Sequence, residues 1–510
     1  MLTHRSIEPE IVELSVSSWF YRNRTIAGFD NPARSLYVSI RELLENSLDA
    51  SEAAGVLPEI KVSLMKVTDE NEPQDILTSG PQLFHLIIED NGLGIERKSI
   101  PKLIGKMLTG TKFTHKQSRG TFGLGGSLAL LYGQVTTQKP IEIITGRPGE
   151  NVSHRVVLRL DIENNCPVIL EEETLSKTPS DHGTSVRYFL MGDWLRSKKK
   201  VIDYFTQTSI IVPYASMRFT TPDQETFSYS RVIDILPKQP REMKPHPRGI
   251  DVEQLKNLIK NTRVKNLKAF MKRSFQRVGE SIAVSFLSEA GFDPLANPKN
   301  LDDQELVSLG NSFSFYDKFL APSSESLSPA GEAVLRAGIT RLEPELIVVR
   351  QRKPNVHEGH PFIVEVGVAY GGEDSNGQKL FRFANKIPLL YDEGSDVSTK
   401  VIRELNLKNY GLANEDPLSF FVHICSTKIP YKTVGKEYIG NVDSIRREVE
   451  LGLKDCLRKL GESVRRKQRA QRSKKRENRL RDYYNFIAET LSDNLDVEVT
   501  TANLLGKGDE

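Results

Sequence analysis

Long apolar runs are missing from this chain: no stretch approaches the roughly 20 residues that a bilayer-spanning helix needs. A soluble protein without a membrane partner is therefore expected. Cysteine is scarce as well. Cys166, Cys425 and Cys456 are odd in number, scattered and without close pairs, which excludes a disulfide framework and zinc-ligand spacing and fits a reducing cytoplasm. The first residues, MLTHRSIEPEIVELS, are acidic and interrupted, unlike a signal peptide. Charge imbalance is absent too. Lys and Arg number 70 against 67 Asp and Glu, a net +3, so any nucleic-acid contact must come from local patches. Neither a Gly-Lys-Ser/Thr phosphate loop nor a dinucleotide fingerprint directly after a strand is present. With 510 residues, 38% hydrophobic and 27% charged, there is room for two to four ordinary domains.

Residues 34–127 hold three short polar islands in apolar surroundings. In RSLYVSIRELLENSLDA (34–50), Leu36, Ile40, Leu43, Leu44 and Leu48 recur at helical spacing and predict one buried face. Glu42, Asn46 and Asp49 stack along another. A carboxylate one turn from an amide suits general-base and metal-binding work, although one such pair is more often a solvated helix face. The second island, FHLIIEDNGLGIE (84–96), reads as a buried strand running into Asp90-Asn91-Gly92 and then Gly94. Glycine there lets backbone and the Asp90 carboxylate approach a flat ligand. The third is TGTKFTHKQSRGTFGLGGSLALLYGQ (109–134), in which Gly120, Gly123, Gly125 and Gly126 precede a helix expected from Ser127. Clustered backbone donors and a helix N-terminus offer a phosphate site.

In this order, E-x-x-x-N, D-x-G-x-G and R-G-x-x-G-L-G resemble the ATP site of the GHKL (Bergerat) group: gyrase, Hsp90, MutL and histidine kinases. RELLENSLDA, TKFTHKQSRGTFGLG, KPHPRGID, GHPFIVEVGVAYGG, RFANKIPLLYD and CSTKIPYKTVGKE look like the B subunits of the topoisomerase VI family, and that resemblance runs almost to the C-terminus. It implies an α+β chain: an arm and GHKL ATP-binding sandwich (1–232), a helix-two-turn-helix domain (233–308), a transducer of the ribosomal S5-like βαβ type (309–470) and a basic C-terminal helix and tail (471–510).

Within this frame EIKVSLMKV (59–67), IEIITG (141–146), HRVVLRLD (154–161) and GTSVRYFL (183–190) read as strands, with Gly183-Thr184 near the adenine by resemblance. The Trp19/Phe20/Tyr21 cluster fits a helix packed on its own domain or, by resemblance, an arm embracing a second protomer. LRSKKK (195–200) reads as a solvated basic loop. Helical periodicity with turns at Gly279 and Gly291 fills 251–294, where Lys268, Lys272, Arg273 and Arg277 could serve phosphates. ELIVVRQR (345–352), PFIVEVGVAYG (361–371), KLFRFANKIPLLY (379–391) and SFFVHICSTKI (419–429) predict strands joined by helical crossovers. Residues 444–491 read as one or two long helices, with ten basic residues against one acidic between Arg465 and Arg481.

The resemblance further implies roles. Glu42 polarises the attacking water, Asn46 holds Mg²⁺, and Asp90 accepts the adenine amino group. Asp49, Gly94, Thr111, Lys112, Gly120, Thr121, Phe122, Gly123, Leu124, Gly125, Gly126 and Ser127 complete the ATP site. Family members often carry lysine where Ser127 stands, after Val rather than Gly126. A transducer lysine meets the γ-phosphate, with Lys436 favoured over Lys432. Closure of two protomers over double-stranded DNA is implied, as is a separate A subunit that cuts it in an A2B2 heterotetramer, since this chain has no Asp-x-Asp pair for a cleavage centre. The alternatives are a MutL-like or other clamp of the same ATPase group and a non-hydrolysing scaffold.

Overall fold

The computed structural model describes residues 18–19, 22–68, 77–105, 116–120, 125–248, 250–372, 377–432, 435–495 and 500–504. The first unit begins with α1 (Pro32–Ala54), β1 (Glu59–Lys66), β2 (Gln82–Asp90), α2 (Ile100–Gly105) and α3 (Gly125–Thr137). It continues through β3 (Ile141–Gly146), β4 (Val152–Asp161), β5 (Cys166–Ser176), β6 (Gly183–Gly192), α4 (Trp194–Ile211), β7 (Ser216–Thr220) and β8 (Thr226–Tyr229). Helix α1 starts where Asn31 accepts the Arg34 N–H at 2.8 Å ahead of Pro32, and it stops at Gly55 with φ 71°; both are ordinary cap chemistry.

The eight strands form one sheet in the order β5-β4-β3-β6-β2-β1-β7-β8. Burial alternates along β1 and β2, every second residue being inside. One face therefore carries the core, on which α1, α3 and α4 pack. Three strands were not expected from the sequence: β5, β7 and β8. The exposed acidic stretch at 170–173 lies within β5, an outer strand whose Val168, Ile169 and Leu170 are exposed. Outward apolar residues blur the period-two pattern by which such strands are recognised. The LRSKKK segment is not a loop but the first turns of α4, capped by Asp193 accepting from Arg196 N–H.

A helical unit follows: α5 (Val252–Asn261), α6 (Leu267–Ser274), α7 (Glu280–Glu289) and α8 (Asp303–Phe315). It has its own core around Phe270, Phe275, Phe286 and Phe313. Gly279 caps α7, and Gly291 follows it with φ 80°. Lys268 and Lys272 both pair with Glu280, at 2.9 and 3.0 Å, whereas Arg273 and Arg277 are exposed.

The last unit holds α9 (Glu332–Ile339), β9 (Leu346–Gln351), β10 (Asn355–His357), β11 (His360–Tyr370), β12 (Lys379–Ala384), β13 (Ile387–Pro388), α10 (Val397–Glu404), β14 (Leu418–Ser426) and α11 (Asp443–Leu495). Its sheet runs β10-β11-β14-β12-β13, with β9 also on β11. Strands β12 and β14 are parallel across α10, but β9, β11 and β14 pair antiparallel. Among the described residues, then, one helical crossover is found where several were expected. The strand expected over 379–391 is a hairpin, because Asn385 and Lys386, at φ 48° and 65°, form a two-residue turn between β12 and β13. Helix α11 is a single 53-residue element. Ile445, Val449, Leu453, Cys456, Leu457, Leu460 and Val464 bury one stripe against the sheet; beyond it the basic stretch is exposed. The first and last units share a core in which Val334, Leu335, Ile339, Phe383 and Phe421 join the residues around α1 and α4. No described helix is long and apolar enough to cross a membrane.

Candidate functional site

Helix α1 supplies the first wall of the site. Its apolar stripe fixes its rotation, leaving Glu42 buried at 8% exposure and Asn46 exposed one turn on. The N-terminus of α3 lies directly against them. A Cβ on Gly125 would sit 1.7 Å from Glu42 Oε2, and one on Gly126 would sit 2.6 Å from Asn46 Nδ2. Glycine at both positions is therefore what lets the two helices approach. The first-turn amides of α3 lack intrahelical partners and carry the positive end of the helix dipole, and they lie beside a carboxylate and an amide. Ser127, also in that turn, is 7% exposed.

A second wall comes from the last unit. The loop after β14 brings Lys436, itself at φ 54° and buried, to 3.6 Å from Glu42 Oε1 and 3.1 Å from Glu45 Oε2. Arg41 reaches Glu42 Oε1 at 2.5 Å and the Gly435 carbonyl at 3.1 Å. Tyr204 donates to Glu45 Oε1 at 3.1 Å, and Arg34 pairs with Glu437. Burial would discharge Lys436, but Glu42 and Glu45 hold its proton above the ordinary lysine range. Glu45 is pushed up by burial, against the pull of Lys436. Lys432 is exposed, and its backbone N–H bonds Tyr438 within the loop.

The third corner is the end of β2. Asp90 Oδ1 accepts the Gly92 N–H at 2.9 Å and the Thr184 N–H at 3.2 Å. Burial raises its carboxyl, opposed by those amides and the Ser47 hydroxyl. Thr145, 1% exposed, touches the Thr184 hydroxyl at 3.1 Å and accepts the Ile95 N–H at 2.8 Å. Gly94, at φ 68°, runs beside the Gly146 backbone, where a side chain would collide. This corner can present one fixed acceptor, Asp90, backed by the buried Thr145 and its neighbour Thr184, to a planar polar ligand. Asn91 acts structurally, holding Ser51, Leu57 and Glu59.

One expected site residue is engaged and not on an open wall. Asp49 Oδ1 takes the Arg119 guanidinium at 2.7 Å. Gly120, whose carbonyl accepts from Ser118 at 2.6 Å, is followed by residues outside the description. Thr121, Phe122, Gly123 and Leu124 lie there, as do Thr111 and Lys112, and of the aromatic cluster Phe20 and Tyr21. Sequence reasoning missed Arg41, Glu45, Ser47, Thr145 and Tyr204. Arg41 and Glu45 carried a signal, four apart on α1 beside Glu42; Ser47, on the same helix, gave none, and Thr145 and Tyr204 come from a distant strand and helix.

Among the described residues, Glu365, His423 and Cys425 alone form a group with metal-ligating side chains close together. Their capacity is already spent. Glu365 accepts from Ala330 N, Gly331 N and His423, and His423 Nε2 accepts the Lys386 N–H at 2.9 Å. Burial pushes the Cys425 thiol up, so the trio is a structural network. At the main site, the exposed amide of Asn46 beside Glu42 is a hard oxygen donor set that fits a divalent cation, and the glycine-lined cradle at α3 fits a phosphate chain.

Residues 322–476 match the family described as Topoisomerase VI B subunit, transducer. The chain is 39% identical over 489 residues to the B subunit of type 2 DNA topoisomerase 6 from Saccharolobus islandicus (strain L.S.2.15), covering 95% of this chain and 90% of that one. It is 38% identical over 500 residues to the protein of the same name from Metallosphaera sedula, covering 97% and 92%. A looser likeness, at TM-score 0.41 and 12% identity over 92% of this chain and 98% of the other, links it to the 43K ATPase domain of Thermus thermophilus gyrase B.

Proposed function

Because this chain belongs to the family of type 2 DNA topoisomerase 6 B subunits, we propose that it binds ATP with Mg²⁺ at the α1–α3 cradle and hydrolyses it as the ATPase subunit of a type IIB topoisomerase. The observation that carries this reading is the buried Glu42 carboxylate, set against the N-terminus of α3 at Gly125 and met by Lys436 from the transducer. Glu42 is placed to take a proton from water attacking the terminal phosphate. Arg41 and Lys436 lie against it until then. Lys436, resting between Glu42 and Glu45, is within reach of a phosphate in the cradle. Its departure toward that charge would strengthen Glu42 as a base. The first amides of α3 hold phosphate oxygens, and Asp90 accepts the exocyclic amino group that separates adenine from guanine. Asn46 would hold the metal, which neutralises phosphate charge when bound.

Nucleotide binding by two such chains closes them over a DNA duplex, and hydrolysis reopens them. The cutting itself belongs to a separate cleavage subunit, two copies joining two of these chains in the closed symmetry usual for such assemblies. Helix α11, about 80 Å long at 1.5 Å per residue, is the lever that reaches it. The test of the ATPase assignment is Glu42→Gln. It should bind ATP normally and lose hydrolysis by about 10²–10⁴-fold, the usual contribution of a general base. Turnover equal to that of the unaltered chain would refute it.

A further inference from the structure

Lys386 occupies a position that costs energy. It is the second residue of the two-residue turn between β12 and β13, at φ 65°, where glycine is the usual choice. A left-handed backbone strains a residue that has a Cβ, and such strain persists where the surrounding structure holds it. Here the ammonium, 4% exposed, donates to Glu52 Oε2 at 2.7 Å and to the Ser328 hydroxyl at 3.1 Å. Glu52 is on α1, three turns beyond Glu42. Its other oxygen takes the Tyr214 hydroxyl at 2.6 Å and the buried Arg119 guanidinium at 2.5 Å, and Arg119 also binds Asp49. Arg119 immediately precedes Gly120 and the glycine-rich loop. The same backbone is held twice more from across the molecule: Asn385 Nδ2 donates to the Ser118 carbonyl at 3.1 Å, and Gln117 exchanges hydrogen bonds with Ser328 at 2.7 and 3.2 Å. The turn in its turn is fixed by His423, which accepts the Lys386 N–H and donates to Glu365.

Resting on the ATP reading above, we infer that the Arg119–Glu52–Lys386 chain is a second link between transducer and nucleotide site, and that Lys386 is a positioning residue for the phosphate loop. Lys436 meets the catalytic carboxylate directly. Lys386 instead anchors residues 117–120, which lead into the glycine-rich stretch, so the transducer hairpin and that segment are held together. Burial would raise the Glu52 carboxyl, but Arg119 and Lys386 hold it down at about 2, so Glu52 stays charged throughout the physiological range. A link of this kind acts on binding, because it holds the segment that leads into the phosphate site in place before the nucleotide arrives.

The test is calorimetric titration of the full chain with a non-hydrolysable ATP analogue carrying an imido bridge, alongside steady-state ATP hydrolysis. Lys386→Met should weaken analogue binding and raise KM by about tenfold, within the range that connecting side chains contribute to coupling. It should leave kcat at saturating ATP within about twofold, the pattern of lost uniform binding. Lys386→Arg should restore most of the affinity, a rescue that filling space alone would not give. Glu52→Gln should reproduce the loss, and adding Lys386→Met to it should cost little more, since the two act through one pair. An unaltered chain that binds no nucleotide would overturn the ATP reading and this inference together. An unaltered chain that binds, beside Lys386→Met binding equally well or the two substitutions adding independently, would overturn this inference alone. Should Lys386→Met fail to fold, Lys386→Arg against Glu52→Gln decides by the same criteria.

Discussion

Gly125→Ala separates catalysis from folding more sharply than removing a charged group does. The added Cβ would stand 1.7 Å from Glu42 Oε2, 2.3 Å from Cδ and 3.0 Å from Cγ, while ordinary carbon contacts begin at about 3.5 Å. The carboxylate must therefore retreat by well over an ångström. It is the movable end of a side chain, so the clash is relieved by displacing it rather than by unfolding the helices. Yet Arg41 at 2.5 Å and Lys436 at 3.6 Å hold it where it is, so displacement also breaks a buried ionic cluster. A misplacement of about 1 Å at a reacting group can cost roughly 10²-fold, and hydrolysis should fall by at least about that much. Because the clash falls on the movable end of a side chain and not on backbone, the helices need not part. The thermal midpoint should consequently change by only a few degrees. The assay is ATP turnover at saturating nucleotide, with melting recorded on the same preparation. Turnover within about twofold of the unaltered chain would refute the close packing of α3 on Glu42 as a catalytic requirement.

Other outcomes follow from the same geometry. Asp90→Asn puts a donor where the adenine amino group needs an acceptor, at a cost of roughly 1–3 kcal/mol, so ATP affinity should drop at least about tenfold; unchanged calorimetric binding would leave Asp90 as a turn residue. Lys436→Ala should reduce turnover far more than Lys432→Ala, because one ammonium is buried on Glu42 and Glu45 and the other is exposed; the reverse order in a side-by-side assay would reassign the loop. Glu52 has a carboxyl held at about 2 in the folded chain. Its stabilising contribution, on the order of 3 kcal/mol, is complete above the ordinary glutamate range and is lost as pH falls toward 2. Glu52→Gln should flatten that acid limb in pH-dependent melting, and an unchanged limb would place the acid sensitivity elsewhere.

The helix face of Glu42 and Asn46 was legible because a 3.6-residue period acts locally. So was the strand ending at Asp90, with its glycine turn. What stayed hidden was chiefly what arrives from far along the chain. Thr145 and Thr184 meet Asp90 only through the pairing of β3, β6 and β2, and pairing order is not written in periodicity. Lys436 was favoured over Lys432 only through the family resemblance of its loop, and nothing local showed that it would meet Glu45. The hairpin at Asn385-Lys386 was concealed by its own composition: an Asn-Lys turn lacks the glycine by which such turns are recognised, and the apolar run through it reads as one strand. Outer strand β5 escaped because its Val168, Ile169 and Leu170 face solvent, against the alternation expected of a half-buried strand.

The central claim is that this chain turns ATP hydrolysis into DNA strand passage only in company with a cleavage subunit. The most direct measurement is relaxation of supercoiled plasmid by the purified chain mixed with a topoisomerase VI A subunit, with ATP, with the imido analogue, and with Glu42→Gln in place of the unaltered chain. Multi-turnover relaxation is expected only for the unaltered chain with ATP and the A subunit together. Relaxation undiminished by Glu42→Gln, or double-strand breaks made by this chain alone, would contradict it.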